Sequence, residues 1–325
     1  MKKILYYGAC WPTNIGNAFI DYGSIYTIRA AVSKAKVYFA SELPRWLYKV
    51  NREDMDKSID LAEQMDIHFV VISGMTLCDE FIETEGPILT RLSKRGVKIV
   101  FNGCGGATYK KKEVDNFTKF LESIDLSGFI SRDEVSYNNY KDCCSRSWNG
   151  IDCAFFLSEA FTPASLTIKD YVVCNFDTME EPKIGNTKKI IRTHHSCFQN
   201  FPNTITNMGT ILTIGTRKPF MKIVKHNTNN MYFKHKDTLI SDIPDDYLNL
   251  YANAHAVYSD RVHACIAALS FGNLAKLYST TPRASLFERV GAAEIKERLV
   301  KLDQDKLKID KEKQISFLRE IFVEE

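Results

Sequence analysis

The segment best suited to chemistry holds an arginine and a histidine two positions apart. It reads Ser-Asp-Arg-Val-His-Ala over residues 259–264, after a short apolar run and before a helix-like pattern that ends at Gly272. We therefore expect Arg261 and His263 in the first turn of a helix, where backbone N–H groups and the helix dipole favour an anion. A guanidinium group binds carboxylate or phosphate through paired donors, and an imidazole can supply a proton near neutral pH. This pattern predicts an anion site with a general acid beside it.

A second arginine has the same kind of position in the first half of the chain. Arg132 follows the strand-like run Gly128–Ser131 and precedes Asp-Glu-Val-Ser over residues 133–136. Two such arginines, one in each half, would face each other across a cleft and bind one small anion. The same pattern is also compatible with structural roles for these three residues. Arg132 could be a surface residue at a helix start, Arg261 an ion-pair partner across a domain interface, and His263 a hydrogen-bonded helix residue.

The elements that must position these residues alternate between short apolar runs and amphipathic segments, as in a parallel sheet with crossover helices. The predicted strands are Lys3–Gly8, Lys36–Ala40, His68–Ser73, Val97–Asn102, Gly128–Ser131, Asp152–Leu157, Asp170–Asn175, Lys188–Arg192, Gly209–Ile214, Ala256–Ser259 and Leu274–Tyr278. The predicted helices are Asn17–Val32, Glu53–Met65, Glu113–Ile124, Pro244–Asn253, Arg261–Phe271 and Pro282–Val290. The pattern breaks near Phe161–Thr167, so we expect two α/β domains over residues 1–165 and 166–325.

Glycine-rich segments follow several predicted strands. They cover residues 8–17, 73–76 and 102–106, and sheets of this type bind ligands beyond the carboxyl ends of their strands. Glycine lets backbone amides approach a ligand closely, although each segment alone would also suit a tight turn. None of them matches a dinucleotide or P-loop fingerprint, so no nucleotide cofactor is implied.

Composition narrows the class of protein further. The chain has 325 residues, of which 45% are hydrophobic, and a net charge of +3, which is typical of a globular protein and far from the basic stripe that binds nucleic acid. No apolar stretch is long enough for a signal peptide or a transmembrane segment. Nine cysteines without framework spacing indicate reduced thiols in a cytoplasmic protein.

One short cluster could suggest a metal site. His194, His195 and Cys197 lie close in sequence, but a zinc site needs a fourth ligand and a paired spacing that the chain does not contain. We interpret them as loop or strand-end residues. We expect neither a metal nor another cofactor.

The chain resembles the polysaccharide pyruvyl transferase family at these residues. The resemblance covers most of the chain and rests on Ser-Asp-Arg-Val-His-Ala with its continuation Ala-Ala-Leu-Ser-Phe-Gly-Asn, on Ser-Arg-Asp-Glu-x-Ser over residues 131–136, on Asp152, and on Asn-Ile-Gly over residues 14–16. It implies two Rossmann-like α/β domains that face each other across a cleft, as in glycosyltransferases of the GT-B arrangement. The Arg-x-His element is the most specific of these matches.

The activity that the resemblance implies is transfer of the pyruvyl group of phosphoenolpyruvate to two hydroxyls of a sugar, with release of phosphate. Arg132 and Arg261 would bind this donor and His263 would be the catalytic acid. The acceptor would be a sugar, an oligosaccharide or a lipid-linked saccharide of a cell-surface polysaccharide. We therefore expect the protein in the cytoplasm, with a peripheral position at the inner face of the membrane as one option.

The acceptor side would lie in the first domain. Its residues would be Trp11, Asn14, Gly16, Asn17 and Gly74. Trp11 could stack on a sugar face, or equally pack on its own domain. Asn17 stands where the family usually has Asp, and the glycine-rich turn around Gly74 is shorter than usual, so both departures concern the acceptor side.

Two other functions are compatible with the same pattern. A glycosyltransferase with a nucleotide-sugar donor would share the cleft and a helix N-terminus directed at phosphates. A non-catalytic glycan-binding or anion-binding relative would keep the fold without the reaction, and the asparagine at position 17 favours this reading. The two are distinguished by nucleotide binding and by phosphate release.

Overall fold

Two parallel β-sheets flanked by helices organise the chain in the computed structural model, which describes residues 1–8, 14–41, 59–185, 188–195 and 235–323. The strands are β1 Lys3–Gly8, β2 Lys36–Ser41, β3 Phe69–Leu77, β4 Lys98–Gly106, β5 Leu126–Ser131, β6 Ser147–Asn149, β7 Tyr171–Asn175, β8 Lys189–Thr193, β9 Thr238–Leu239, β10 Ala256–Ser259 and β11 Leu274–Leu277. The α-helices are α1 Ile15–Ala31, α2 Leu61–Gln64, α3 Asp79–Thr84, α4 Gly86–Lys94, α5 Lys111–Glu122, α6 Glu134–Tyr140, α7 Leu157–Ala160, α8 Pro244–Asn253, α9 Val262–Ser270, α10 Ser285–Arg289 and α11 Gln304–Val323. Short 3₁₀ helices cover Lys141–Cys143, Cys153–Phe156, Pro282–Ala284 and Ala293–Lys296.

The first sheet has the strand order β2-β1-β3-β4-β5-β6 and the second the order β11-β10-β7-β8-β9. Every pairing within them is parallel. The central strands are buried on both faces, as Val70, Val71 and Ile72 in β3 illustrate. Helices cover both faces of a parallel sheet, so its strands are continuous apolar runs rather than alternating ones. This is the predicted architecture of two Rossmann-like domains.

The strand predicted at Asp152–Leu157 is wrong. The first sheet ends with β6 at Ser147–Asn149, and residues 153–160 form a 3₁₀ turn followed by α7. Asp152 caps that turn, because its Oδ1 accepts a hydrogen bond from the Ala154 N–H at 2.9 Å. The residues from Cys153 to Leu157 are all fully buried, and periodicity alone cannot distinguish a short buried helix from a buried strand.

Two of the glycine-rich segments expected beyond the ends of strands lie inside strands instead. Residues 73–76 belong to β3 and residues 102–106 to β4, with register shifts where these two strands pair. Gly74 and Gly103 have φ values of 93° and 65°, which favour glycine. The glycines therefore form irregularities within the strands. The predicted strand Gly209–Ile214 and residues 53–58 of the predicted helix Glu53–Met65 lie outside the described residues, and only Leu61–Gln64 of that helix is seen.

The C-terminal helix α11 packs on the first sheet rather than on the second. Leu318, Ile321 and Phe322 are buried together with Ile4 and Val71 of that sheet. The division of the chain at residue 165 stays a prediction, and α11 joins the first core although it lies far beyond that position. None of the helices in the described part of the chain is both long enough and apolar enough to cross a membrane.

Candidate functional site between the two sheets

The start of α9 carries the Arg-x-His element, one residue later than predicted. Arg261 is the N-cap residue with extended backbone (φ −104°, ψ 123°), and its N–H donates to Ser259 Oγ at 2.8 Å. His263 lies in the first turn, and the helix ends before Gly272, whose φ of 79° suits glycine at this position. Within the described residues no side chain caps the N–H groups of this first turn.

The Arg261 side chain is held by carboxylates of its own domain. Its Nε donates to Asp177 Oδ2 at 3.1 Å and lies 4.0 Å from Asp260 Oδ1. Asp260 also accepts hydrogen bonds from the backbone N–H groups of Asp177, Thr178 and Met179. The side chain of Arg261 is only 14% exposed, so its guanidinium has a fixed direction before any ligand arrives.

Arg132 is buried between β5 and α6 with only part of its donor capacity in use. Its side chain is 1% exposed, and Nη1 donates to Asp152 Oδ2 at 2.9 Å. Asp133 Oδ2 lies 4.0 Å from Nε, beyond hydrogen-bond distance. Nε and Nη2 have no hydrogen-bond partner among the described residues. Buried donors are nearly always paired, so these two groups point to a ligand.

His263 approaches the same carboxylate from the second domain. Its Nε2 lies 3.8 Å from Asp152 Oδ2 and has no hydrogen-bond partner among the described residues. Burial lowers the pKa of His263, the positive charges of Arg132 and Arg283 lower it further, and Asp152 opposes both. Burial opposes ionisation of Asp152, but His263, Arg132 and the Ala154 N–H outweigh it and lower its pKa to about 2. At neutral pH these shifts favour an ionised Asp152 and a neutral imidazole at His263.

A third arginine, which sequence reasoning missed, belongs to this cluster. Arg283 lies in the 3₁₀ turn after β11, where its Nε donates to Thr281 Oγ1 at 3.1 Å and its Nη1 contacts Met75 Sδ at 3.7 Å. Burial lowers the pKa of Arg283 to about 10, together with the charges of Arg132 and Arg261. Its sequence signal was the same as theirs, an arginine shortly after a strand end, but it was included in a predicted helix.

Most of the residues expected on the acceptor side surround the start of α1. Asn14 caps this helix, since its Oδ1 accepts from the Gly16 N–H at 3.1 Å and its Nδ2 contacts Asn17 Oδ1 at 3.4 Å. A Cβ on Gly16 would lie 3.0 Å from the Cβ of His263, so this glycine lets α1 and α9 meet. Gly74 packs against Ile20 instead. Trp11 lies outside the described residues, and acceptor binding by these residues stays a prediction.

His194 and His195 follow β8, as strand-end residues. His194 Nδ1 is 3.0 Å from Asp177 Oδ1, and His195 Nε2 is 2.6 Å from the hydroxyl of Tyr251. Burial lowers the pKa of His195 to about 3. The His195 carbonyl accepts a hydrogen bond from the Ile15 N–H at 3.0 Å, which joins the two domains beside Gly16. Cys197 lies outside the described residues.

The fold and this cluster together indicate a class of protein. Two Rossmann-like domains bring Arg132 and His263 within 4 Å of one carboxylate oxygen of Asp152, with Arg283 nearby and Arg261 at the N-cap of the helix that carries His263. Guanidinium groups and a helix N-terminus bind small anions with carboxylate or phosphate groups. The histidine adds a group that can exchange a proton, and the aspartate beside it can orient that group.

The chain belongs to the polysaccharide pyruvyl transferase family, whose family model matches residues 13–272. A comparison with curated proteins finds no match. Among solved structures, the chain is similar to S. aureus MnaA bound to UDP, with 12% identity, a TM-score of 0.54 and coverage of 99% of this chain and 91% of the other. UDP-GlcNAc 2-epimerase from Neisseria meningitidis bound to UDP-GlcNAc has 14% identity, a TM-score of 0.50 and coverage of 100% and 99%. At these identities the two structures support the fold alone.

Proposed function

We propose that this protein transfers the pyruvyl group of phosphoenolpyruvate to two hydroxyls of a sugar, forming a cyclic ketal and releasing phosphate. The observation that carries the proposal is that the charges of Arg132 and Arg283 both act on His263, while Arg261 caps the same helix and its charge acts on Arg283. Phosphoenolpyruvate has a carboxylate and a phosphate on one small frame, and guanidinium pairs suit both groups. The unpartnered Nε and Nη2 of Arg132 support a bound anion at this place.

His263 acts as the general acid in this proposal. Ketal formation requires a proton on the methylene carbon of the donor, which makes the adjacent carbon electrophilic toward a sugar hydroxyl. The first hydroxyl loses its proton as its oxygen bonds to that carbon, which replaces the proton taken from His263. The second hydroxyl loses its proton to the departing phosphate as its oxygen displaces it and closes the ring. The imidazole is neutral in the free protein because burial and nearby arginines lower its pKa, and a bound anion raises it. The donor therefore helps to protonate the group that reacts with it.

Asp152 holds the imidazole in place and stabilises its protonated form. With a pKa of about 2 it stays ionised at neutral pH, and its Oδ2 lies within 4 Å of both Arg132 and His263. A carboxylate in this position orients a histidine and favours its charged form. The acceptor belongs beside the start of α1, at Asn14, Gly16 and Asn17. We expect the reaction in the cytoplasm, at the inner face of the membrane where the acceptor is lipid-linked.

Two measurements test the proposal. Phosphoenolpyruvate should raise the melting temperature of the protein, whereas UDP-GlcNAc should not. Phosphate release from phosphoenolpyruvate should then depend on an added glycoside from a panel of acceptors. Stabilisation by the nucleotide sugar alone would favour a glycosyltransferase. Binding of phosphoenolpyruvate without phosphate release with any glycoside would favour a non-catalytic relative.

A further inference from the structure

One glutamine of the C-terminal helix reaches into the core of the first domain. Gln314 of α11 is fully buried, and its Oε1 accepts a hydrogen bond from the Ile151 N–H at 2.8 Å. Its Nε2 donates to Asn102 Oδ1 at 3.0 Å and to the Ile151 carbonyl at 3.3 Å. Both polar ends of this side chain are therefore satisfied, in a helix that lies beyond the residues matched by the family model.

Gln314 holds the segment that contains Asp152. The first sheet ends at Asn149, so no strand ladder fixes the peptide groups on either side of Ile151. Gln314 replaces the missing strand neighbour, because it binds both the N–H and the carbonyl of Ile151. Asn102 binds Gln314 through its side chain, and its backbone carbonyl accepts a hydrogen bond from Cys153 Sγ at 3.3 Å. Gln314 and Asn102 thus hold the residues immediately before and after Asp152.

Close packing makes the amide hard to replace. A Cβ on Gly150 would lie 2.5 Å from Gln314 Oε1, so the chain approaches this side chain as closely as glycine permits. Only a primary amide offers one acceptor and two donors at this length. An apolar residue would leave the buried N–H and carbonyl of Ile151 unpaired, which is costly in a closed site.

We propose that Gln314 is a positioning residue for the carboxylate of Asp152. It fixes the peptide before Asp152, and so sets how that carboxylate meets Nε2 of His263 across the domain boundary. The inference rests on the proposed function in one respect, since the role of Asp152 in turnover is part of that proposal. The placement of the Asp152 carboxylate by Gln314 can be tested without any substrate.

The first experiment uses no substrate. In the full chain with isotope-labelled histidines, NMR titration follows the His263 ring, which is identified by its loss in His263→Gln. The charged groups that face this ring are Asp152, Arg132 and Arg283. Only Asp152 among them raises its pKa, so Gln314→Met should lower the pKa of His263 as the carboxylate moves away.

The matched control lies on the same helix. Lys311 is buried and binds Ser158 and Glu159 through its Nζ at 2.9–3.0 Å. Lys311→Met therefore removes partly buried polar contacts to the same segment, six and seven positions beyond Asp152. It should lower the melting temperature and leave the His263 titration unchanged. An unchanged titration in folded Gln314→Met, or an equal change in Lys311→Met, would overturn the proposal.

The second experiment measures turnover with phosphoenolpyruvate. Gln314→Met should lower kcat about tenfold, since small misplacements of a catalytic group have effects of this size or larger. Its KM for phosphoenolpyruvate should change much less, because the arginines keep their places. If the wild-type protein releases no phosphate, the proposed function fails while the NMR result stands. If Gln314→Met does not fold, Gln314→Asn replaces it, because its amide is one methylene too short to reach both partners. It should likewise lower the pKa of His263 and kcat.

Discussion

Nε2 of His263 lies 3.8 Å from Oδ2 of Asp152, although Asp152 follows the last strand of the first sheet and His263 follows a strand of the second. The same oxygen accepts a hydrogen bond from Arg132 Nη1 at 2.9 Å. Arg132 thereby helps to keep the carboxylate ionised, and an ionised carboxylate can stabilise an imidazolium but is a poor proton acceptor at a pKa of about 2. Asp152 therefore supports a charged His263 and does not take up its proton.

Asp152→Asn tests this pair through stability as well as turnover. The amide has the same size, but it leaves the buried Arg132 without its hydrogen-bonded carboxylate, and breaking a buried ion pair typically costs about 3–5 kcal/mol of unfolding free energy. We expect a large loss of stability in urea denaturation and a large loss of kcat. The folded pKa of Asp152 lies below the unfolded value of about 4, so the stability difference should be present above about pH 4 and shrink as pH falls toward about 2.

The control for this variant is Asp66→Asn. Asp66 is exposed and pairs with Lys3 at the surface, so its removal should leave stability and turnover unchanged. An Asp152→Asn protein as stable and as active as the wild type would show that the carboxylate has no role in the site.

His263 and Arg261 should differ in the kinetic constant that they control. His263→Gln removes the proposed acid and should lower kcat about a hundredfold or more, with a smaller change in donor affinity. Arg261→Met removes a charged partner of the donor and should weaken phosphoenolpyruvate binding by about 1.5–3 kcal/mol. Steady-state kinetics and calorimetric titration separate the two effects. Wild-type turnover in folded His263→Gln would leave this histidine with a structural role only.

Donor binding should be linked to proton uptake by His263. Its pKa is lowered in the free protein by burial and by Arg132 and Arg283, and a bound anion raises it. Between these two pKa values the complex binds a proton that the free protein lacks, so the affinity for phosphoenolpyruvate should fall as pH rises through the pKa of the bound state. Calorimetry in buffers of different ionisation enthalpy measures the uptake. His263→Gln should remove the protein's share of it, and an identical uptake in that variant would exclude His263 as its source.

The sequence predicted where the arginines and the histidine of the candidate site lie, while their roles in donor binding and catalysis stay predictions. Arg132, Arg261 and His263 lie at strand ends and helix starts as predicted, because the apolar runs before them mark the strands clearly. Asp152 was placed on a strand, since the fully buried run after it has no period that separates strand from helix. Arg283 was missed because it lies inside a pattern that continues into α10.

Long-range contacts explain what no local pattern could predict. The pairing of Asp152 with His263 joins positions 111 residues apart, and the bond from Gln314 to the Ile151 N–H spans 163 positions. The alternation of strands and helices predicts two sheets, but it does not say that the last helix, α11, returns to the first of them. That return is what brings Gln314 beside the segment of Asp152.

Arg283→Met should separate stability from binding. Arg283 is held near Arg132 and Arg261, whose charges help to lower its pKa to about 10, so it stays protonated at neutral pH and repels both. Removing it should leave the melting temperature of the free protein unchanged or slightly higher. The stabilisation by phosphoenolpyruvate should shrink, because one cation of the site is lost. A lower melting temperature without ligand, with full stabilisation by phosphoenolpyruvate, would make Arg283 a structural residue.

Gly105→Ala tests whether the exact direction of Arg132 matters. A Cβ on Gly105 would lie 2.3 Å from Arg132 Nε and 2.8 Å from Asp133 Oδ2, so the guanidinium must move out of its position in the site. Overpacking of this kind costs about 1–3 kcal/mol of stability, and the displaced Arg132 would no longer hold Asp152. We therefore expect weaker phosphoenolpyruvate binding and lower kcat together.

Gly185→Ala is the matched control, because a Cβ there meets no atom of the described residues within 4 Å. Both variants are compared by thermal unfolding with and without phosphoenolpyruvate and by phosphate release. Normal binding and turnover in Gly105→Ala would show that the site tolerates a displaced Arg132, and the arginine would then not be a donor ligand.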